Sequence, residues 1–113
     1  MSISITPNVE FDTIAREWRC KWSADDDKSS LVALQETLKA HVGAVKAVDG
    51  VTKVQRVVCG GCLDFKVITS LPVAQFKAWE AAGFAPEAAF LQEIKAIKGV
   101  SVVETQTYTL MDA

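Results

Sequence analysis

Glu17-Trp18-Arg19-Cys20-Lys21-Trp22-Ser23 decides the reading of this chain. Trp18, Cys20 and Trp22 alternate with Glu17, Arg19 and Lys21, and a period of two with aromatic residues on one side is the pattern of a half-buried strand. The pattern stops at Ser23-Ala24-Asp25-Asp26-Asp27, an acidic turn. Carboxylates there favour the start of a helix, because they meet its unpaired N–H groups and the positive end of its dipole. Leu31, Leu34, Leu38 and Val42 then follow at helical spacing as one apolar stripe. The helix is predicted to end near Gly43 or Gly50.

Downstream, Val51 to Val58 is rich in β-branched residues, and Leu63, Phe65 and Val67 alternate with Asp64 and Lys66. Two strand-like runs around Gly60-Gly61 predict a hairpin or a bulged segment of close approach. Pro72 closes the second run, Val73–Ala82 fits a short helix with Phe76 and Trp79, and Gly83 interrupts it. Pro86 suits the first turn of a further helix. Phe90, Leu91, Ile94 and Ile97 give that helix its apolar face, and Gly99 suits the position just past its end. Val100–Met111, rich in Val and Thr, closes the chain as a strand. The order is β-α-β-β-α-β: an α+β, ferredoxin-like plan with a four-stranded antiparallel sheet and both helices on one face. Residues 1–15 are expected to be a tail or linker, and residues 16–113 the domain. The second sheet face has no helix to cover it, which makes it a candidate interface.

The bulk composition narrows the function. Of 113 residues, half are hydrophobic and 23% are charged, so this is an ordinary globular composition with room for one core. A net charge of −2 with scattered Lys and Arg gives no basic stripe for nucleic acid or an anionic membrane. No apolar run approaches the roughly 20 residues that span a bilayer. The first ten residues lack the basic start and apolar segment of a secretory signal. Three cysteines, an odd number, fit a reducing compartment, and a cytoplasmic location is expected.

Cys59-Gly60-Gly61-Cys62 is a C-x-x-C followed by a strand pattern. A redox pair is usually activated by a helix N-terminus, and a zinc site needs two more ligands, with only Cys20 and His41 left to offer. Structural cysteines are the first reading, with redox or metal roles as alternatives. His41, the single histidine, reads as a helix-flank residue and not as a base. Asp25-Asp26-Asp27 lacks the alternating oxygen ligands of a calcium loop. Trp18 and Trp22 read as core, since Arg19 and Lys21 point away from them and no basic stacking groove forms.

Three stretches resemble a known family. These are Lys21-Trp22-Ser23-Ala24-Asp25-Asp26 with Leu31 and Leu34, then Gly61-Cys62-Leu63-Asp64-Phe65-Lys66-Val67, then Val100 to Met111. In that order they resemble the guanine-nucleotide-exchange domain of translation elongation factor 1-beta. The resemblance implies docking onto the GTPase elongation factor 1-alpha and lowering of its GDP affinity, together with other elongation factor 1 subunits. It implies an exchange factor and not an enzyme, with no catalytic residue, no cofactor, no metal and no direct nucleic-acid or membrane contact. Carried over by position, Cys59, Gly60, Gly61, Cys62, Tyr108, Thr109, Leu110 and Met111 would form the contacting tip. Leu110 stands where the family has a lysine. Two other functions remain open: a ferredoxin-like subunit that dimerises sheet to sheet and binds a small ligand, and a thiol redox protein using Cys59 and Cys62.

Overall fold

The computed structural model describes residues 2–113. Its elements are β1 (Ile3–Thr6), β2 (Val9–Phe11), β3 (Thr13–Lys21), α1 (Asp25–Lys46), β4 (Lys53–Val58), β5 (Asp64–Pro72), α2 (Val73–Ala81), α3 (Glu87–Lys95) and β6 (Ser101–Leu110). β4-β5-β3-β6 form one sheet in which every neighbouring pair is antiparallel. With the helices on one face, this is the expected ferredoxin-like plan. Among the described residues, no helix is long and apolar enough to cross a membrane.

The residues expected to be a tail hold a second, two-stranded sheet, in which β1 pairs antiparallel with β2. Its apolar residues Ile3, Ile5 and Val9 are exposed. The first strand of the main sheet begins at Thr13, four residues before the alternation announces it. The reason is local. Arg16 points to the helix side and Ala15 to the uncovered side, so polarity is inverted over these positions and the period-two signal is erased.

β3 hands over to α1 through the acidic turn. Asp26, Asp27 and Lys28 take left-handed backbone angles, with φ of 54°, 53° and 62°. The short polar side chain of Asp tolerates that region better than most residues do. Buried Ser30 ties the turn to the strand end: its Oγ accepts from the Ser23 backbone N–H (2.9 Å) and donates to the Ser23 carbonyl (3.2 Å). The helix runs on through Gly43 to Lys46, because fully buried Val45 extends the stripe of Leu34 and Leu38. The chain reverses instead near Gly50, whose φ of +87° suits glycine.

The short helix and the further helix expected after β5 are α2 and α3, joined through Gly83–Pro86. Between helices and sheet lies an aromatic core. Trp18, 1% exposed, stacks on Phe90 at 4.9 Å between ring centroids and lies 6.4 Å from Trp79. Trp79 meets Phe84 edge-on at 5.2 Å. Such tilted and offset pairs add to the burial of large apolar surfaces. Trp22, Leu34, Leu38, Phe65, Val67, Leu71, Phe76 and Ile94 complete the cluster.

A polar clasp stands at the edge of this core. Glu87, at the start of α3, accepts hydrogen bonds from Arg16 Nε (2.7 Å), Arg16 Nη2 (3.2 Å) and Trp18 Nε1 (2.8 Å). Arg16 also donates to Thr107 Oγ1 at 2.9 Å and lies 4.1 Å over the Phe84 ring. The clasp pins α3 and the α2–α3 link onto β3 and β6. Every polar group in it is partnered, so it reads as architecture.

Candidate functional site

Register places each side chain on one of the two sheet faces. Ile14, Arg16, Trp18 and Cys20 face the helices, while Thr13, Ala15, Glu17, Arg19 and Lys21 face the uncovered side. Across the sheet, Lys53 pairs with Ser70, Ser70 with Ala15, and Ala15 with Tyr108. One rung on, Gln55 pairs with Ile68, Ile68 with Glu17, and Glu17 with Gln106.

This face is uneven. Thr13, Ala15 and Ser70, on the two middle strands, are small, and longer side chains flank them on β4 and β6. The result is a cleft of about 500 Å³ with Thr13 and Ser70 on its floor, Lys53 and Gln55 on one side, and Leu110 and Met111 on the other. Lys53, Gln55 and the hydroxyls supply hydrogen-bond donors, Asp12 and Asp112 at its rim supply acceptors, and Leu110 and Met111 supply apolar surface. That mixture suits a small organic molecule with a few polar groups.

Glu17 stands one rung from the cleft and is only 4% exposed, although no helix covers this face. Its Oε1 accepts from the Tyr108 hydroxyl at 3.1 Å. Its Oε2 is buried without a hydrogen-bond partner, and Arg19 Nη1 stays 3.6 Å away. Arg19 in turn leans toward Glu104, with Nε 3.8 Å from its carboxylate. Tyr108, on the same rung as Ser70, Ala15 and Lys53, links Glu17 to the cleft's border. Burial, and then the bond to Glu17, pushes its hydroxyl up to about 12, so at neutral pH Tyr108 is a donor. Oε2 thus has an ion-pair contact with Arg19 but no hydrogen bond. Such a group is costly to keep, and buried polar groups normally find partners.

The eight residues expected to form one contacting tip do not come together. Cys59–Cys62 form the turn between β4 and β5, beside Lys21 at one end of β3. Tyr108, Thr109 and Leu110 end β6, where Leu110 pairs with Thr13 at the other end of β3. Thr13 and Lys21 are eight residues apart, about 27 Å along a strand. Only Leu110 and Met111 of the eight line the cleft, and Tyr108 borders it. Glu17 was read from sequence as an outward strand residue, and its pairing with a tyrosine on the far side of the chain left no local signal.

The other singled-out residues lie away from the cleft. Cys59 and Cys62 form a disulfide, and Cys20 is free and buried. Burial first, and the nearby Asp64 carboxylate second, pushes the Cys20 thiol up to about 11. His41 pairs with Glu93 across α1 and α3 and meets Phe90 edge-on. Among the described residues, no group of three or more His, Cys, Asp or Glu is placed to hold a metal ion.

No protein-family model matches the chain, and no curated protein does. Solved structures do match in fold. A Streptomyces coelicolor monooxygenase from the gene ActVA-Orf6, in complex with the ligand Nanaomycin D, aligns at a TM-score of 0.65 and 11% identity, over 91% of this chain and 90% of that one. A Deinococcus radiodurans protein inferred to be an antibiotic biosynthesis monooxygenase aligns at 0.64 and 14%, over 88% and 94%. SnoaB, a cofactor-independent oxygenase from Streptomyces nogalater, aligns at 0.59 and 12%, over 90% and 96%. These neighbours overturn the resemblance to the elongation factor 1-beta exchange domain, and with it the translation role, the partners elongation factor 1-alpha and other elongation factor 1 subunits, and the non-enzyme reading. The features behind that resemblance belong to the shared plan of strands and helices, which whole-chain likeness to small-molecule oxygenases fits equally. At these identities what the chain shares with its neighbours is the ferredoxin-like fold of antibiotic-biosynthesis monooxygenase domains.

Proposed function

We propose that this chain binds a small organic molecule in the cleft of its uncovered sheet face, as a sheet-to-sheet dimer, and oxygenates it in the manner of the monooxygenases whose fold it shares. The observation that carries the proposal is Glu17: a carboxylate 4% exposed, with one oxygen that accepts no hydrogen bond and meets only the Arg19 guanidinium at 3.6 Å, beside a cleft of about 500 Å³. On a face that only met water, the same carboxylate would turn outward and be solvated.

Oxygenation without an electron-carrying cofactor requires the substrate itself to become electron-rich, which removal of a phenolic or enolic proton achieves. Glu17 is the acceptor for that proton; once protonated it no longer needs the single Tyr108 O–H, which turns to donate to the resulting oxyanion. A second copy suits the face for reasons of charge and area. Asp64, Glu17 and Glu104 share it with Lys21, Lys66, Arg19 and Lys53, so two copies related by a two-fold axis can set opposite charges against each other. Exposed Val57, Leu110 and Met111 add apolar area.

The test is the mass in solution together with ligand-induced thermal stabilisation and oxygen uptake across a panel of fused-ring phenols and hydroquinones. Expected are a doubled mass, a raised Tm for at least one compound with oxygen consumed, and loss of both responses in Ser70→Phe, which fills the cleft floor. A monomer that no compound stabilises would overturn the proposal.

A further inference from the structure

The disulfide at the β4–β5 turn is separate from the cleft and has an asymmetry of its own. Cys62 is exposed at the hairpin tip. Gly60 and Gly61 put no side chain over the sulfurs, and a Cβ built on either would meet nothing within 4 Å. The two sulfurs see opposite electrostatics. The Cys62 backbone N–H points at Cys59 Sγ from 3.1 Å, a donor suited to a thiolate. Cys62 Sγ lies 3.3 Å from Asp64 Oδ2. The Asp64 carboxyl is held below the usual carboxylate range, chiefly by its hydrogen bond from Lys21, so it stays ionised and disfavours a thiolate on Cys62. Lys21 reaches the tip from β3, with Nζ 2.6 Å from Asp64 Oδ1 and 2.8 Å from the Cys62 carbonyl oxygen. The backbone N–H thus does for Cys59 what a helix N-terminus does in other C-x-x-C pairs.

We propose that Cys59 and Cys62 form a thiol–disulfide exchange site for low-molecular-weight thiols, with Cys59 as the leaving thiolate. An incoming thiolate attacks exposed Cys62 Sγ. The new S–S bond forms as the Cys59–Cys62 bond breaks, and the electron pair departs with Cys59, where the Cys62 N–H receives it. A second thiolate attacks the donor sulfur of the mixed disulfide, and Cys62 leaves, takes a proton from solvent and donates it toward Asp64. Two thiols become one disulfide; two electrons reach the pair, Cys62 takes one proton, and the other stays in solvent while Cys59 is held as the thiolate. The better-stabilised thiolate is the better leaving group, which is why the order runs this way.

The experiment titrates the full chain with reduced glutathione, traps thiols with iodoacetamide and counts them by mass. It also compares alkylation rates of Cys59→Ser and Cys62→Ser at pH 7. Expected is conversion to the dithiol below about 10 mM glutathione, within the range of a cytosolic thiol pool. Cys59 in Cys62→Ser should alkylate about tenfold faster than Cys62 in Cys59→Ser, because the backbone N–H favours the Cys59 thiolate and the Asp64 carboxylate opposes one on Cys62. Asp64→Asn should raise the Cys62 rate several-fold while leaving Cys59 unchanged. A pair that stays oxidised throughout, or two equal alkylation rates, would overturn the proposal. Neither result bears on ligand binding in the cleft, which holds or fails separately.

Discussion

Replacing Glu87 by alanine removes the acceptor shared by three donors. Trp18 Nε1 belongs to a residue 1% exposed, so its N–H is left without a partner at the edge of the aromatic core. An orphaned buried donor costs about 1–3 kcal/mol. Arg16 loses its carboxylate, but its side chain is 15% exposed and keeps Thr107 and the Phe84 ring. Breaking a fully buried ion pair costs about 3–5 kcal/mol, and the retained contacts and partial exposure bring this one nearer 1–2 kcal/mol. The sum is about 3 kcal/mol. For a domain of this length, at about 4 °C per kcal/mol, that lowers Tm by about 12 °C.

Calorimetry or urea unfolding measures the loss, and a double-mutant cycle with Arg16→Met identifies its source. If an unpaired guanidinium causes much of the damage, removing it as well should return about 1–2 kcal/mol, so the double variant is less damaged than the sum of the singles. Glu87→Gln keeps one acceptor oxygen and should cost about half as much as alanine, since it removes only the charge-assisted part. A loss below about 1 kcal/mol for Glu87→Ala, or strict additivity with Arg16→Met, would refute the view that this clasp fastens α3 to the sheet.

Tyr108 is the only tyrosine, so its ionisation is read directly by absorbance at high pH. The folded hydroxyl titrates at about 12 against an ordinary value of 10.0. Between those values the folded state holds a proton that the unfolded state has released, so stability is fully present below pH 10 and falls as pH rises through 12; a phenolate signal near pH 10 in a still-folded chain would refute the burial of this hydroxyl and its bond to Glu17. Cys20, buried and with its thiol pushed up to about 11, should resist iodoacetamide at pH 8 until the chain unfolds, and rapid native labelling would contradict its place in the core. Gly50→Ala puts a Cβ into the Gln75 side chain at a φ of +87° and should cost about 1–3 kcal/mol in urea unfolding; a neutral result would mean that this turn relaxes freely.

The parts of the fold legible in sequence are those where one face is apolar and the other polar. Trp18, Cys20 and Trp22 against Glu17, Arg19 and Lys21, and the stripes Leu31-Leu34-Leu38 and Phe90-Ile94, announce their elements because burial and period agree. Where function or clasping reverses polarity, the signal disappears. Arg16 turns inward to meet Glu87 and Ala15 turns to the uncovered face, so the first half of β3 reads as nothing in particular. β1 and β2 are too short for a periodic signal, and their apolar residues are not buried. Gly43 looked like a stop, but the helix continues because Val45 gains more from burial than a mid-helix glycine costs, about 1 kcal/mol. The site was less legible than the fold. Ser70 gives no hint that its smallness matters, and Glu17 finds Tyr108 only because β3 and β6 are neighbours although the two residues are 91 positions apart. The C-x-x-C was visible at once, but its asymmetry depends on Asp64 and Lys21, which only the hairpin brings to the sulfurs.

Function resides in sites carried by a fold, so this chain's activity is to be argued from its uncovered face and not from the shared plan. Glu17 lets that statement be tested. If its carboxylate were there for stability, Glu17→Gln would weaken the fold by leaving Arg19 without its nearest charge; with the Arg19 side chain 32% exposed, that loss is about 1–2 kcal/mol, below the roughly 3–5 kcal/mol of a fully buried pair. If it is held for chemistry, the fold bears its cost. The glutamine oxygen still accepts from Tyr108, the buried charge is gone, and Arg19, partly exposed, still has Glu104. Stability should then hold or rise by about 1 kcal/mol, the pattern of a functional group kept at the expense of stability. Ligand-dependent oxygen uptake should fall by at least tenfold, since general-base catalysis contributes about a hundredfold or more. A stable, inactive Glu17→Gln chain supports the proton-acceptor role, whereas an unfolded one would return Glu17 to the architecture and remove the observation on which the proposed function rests.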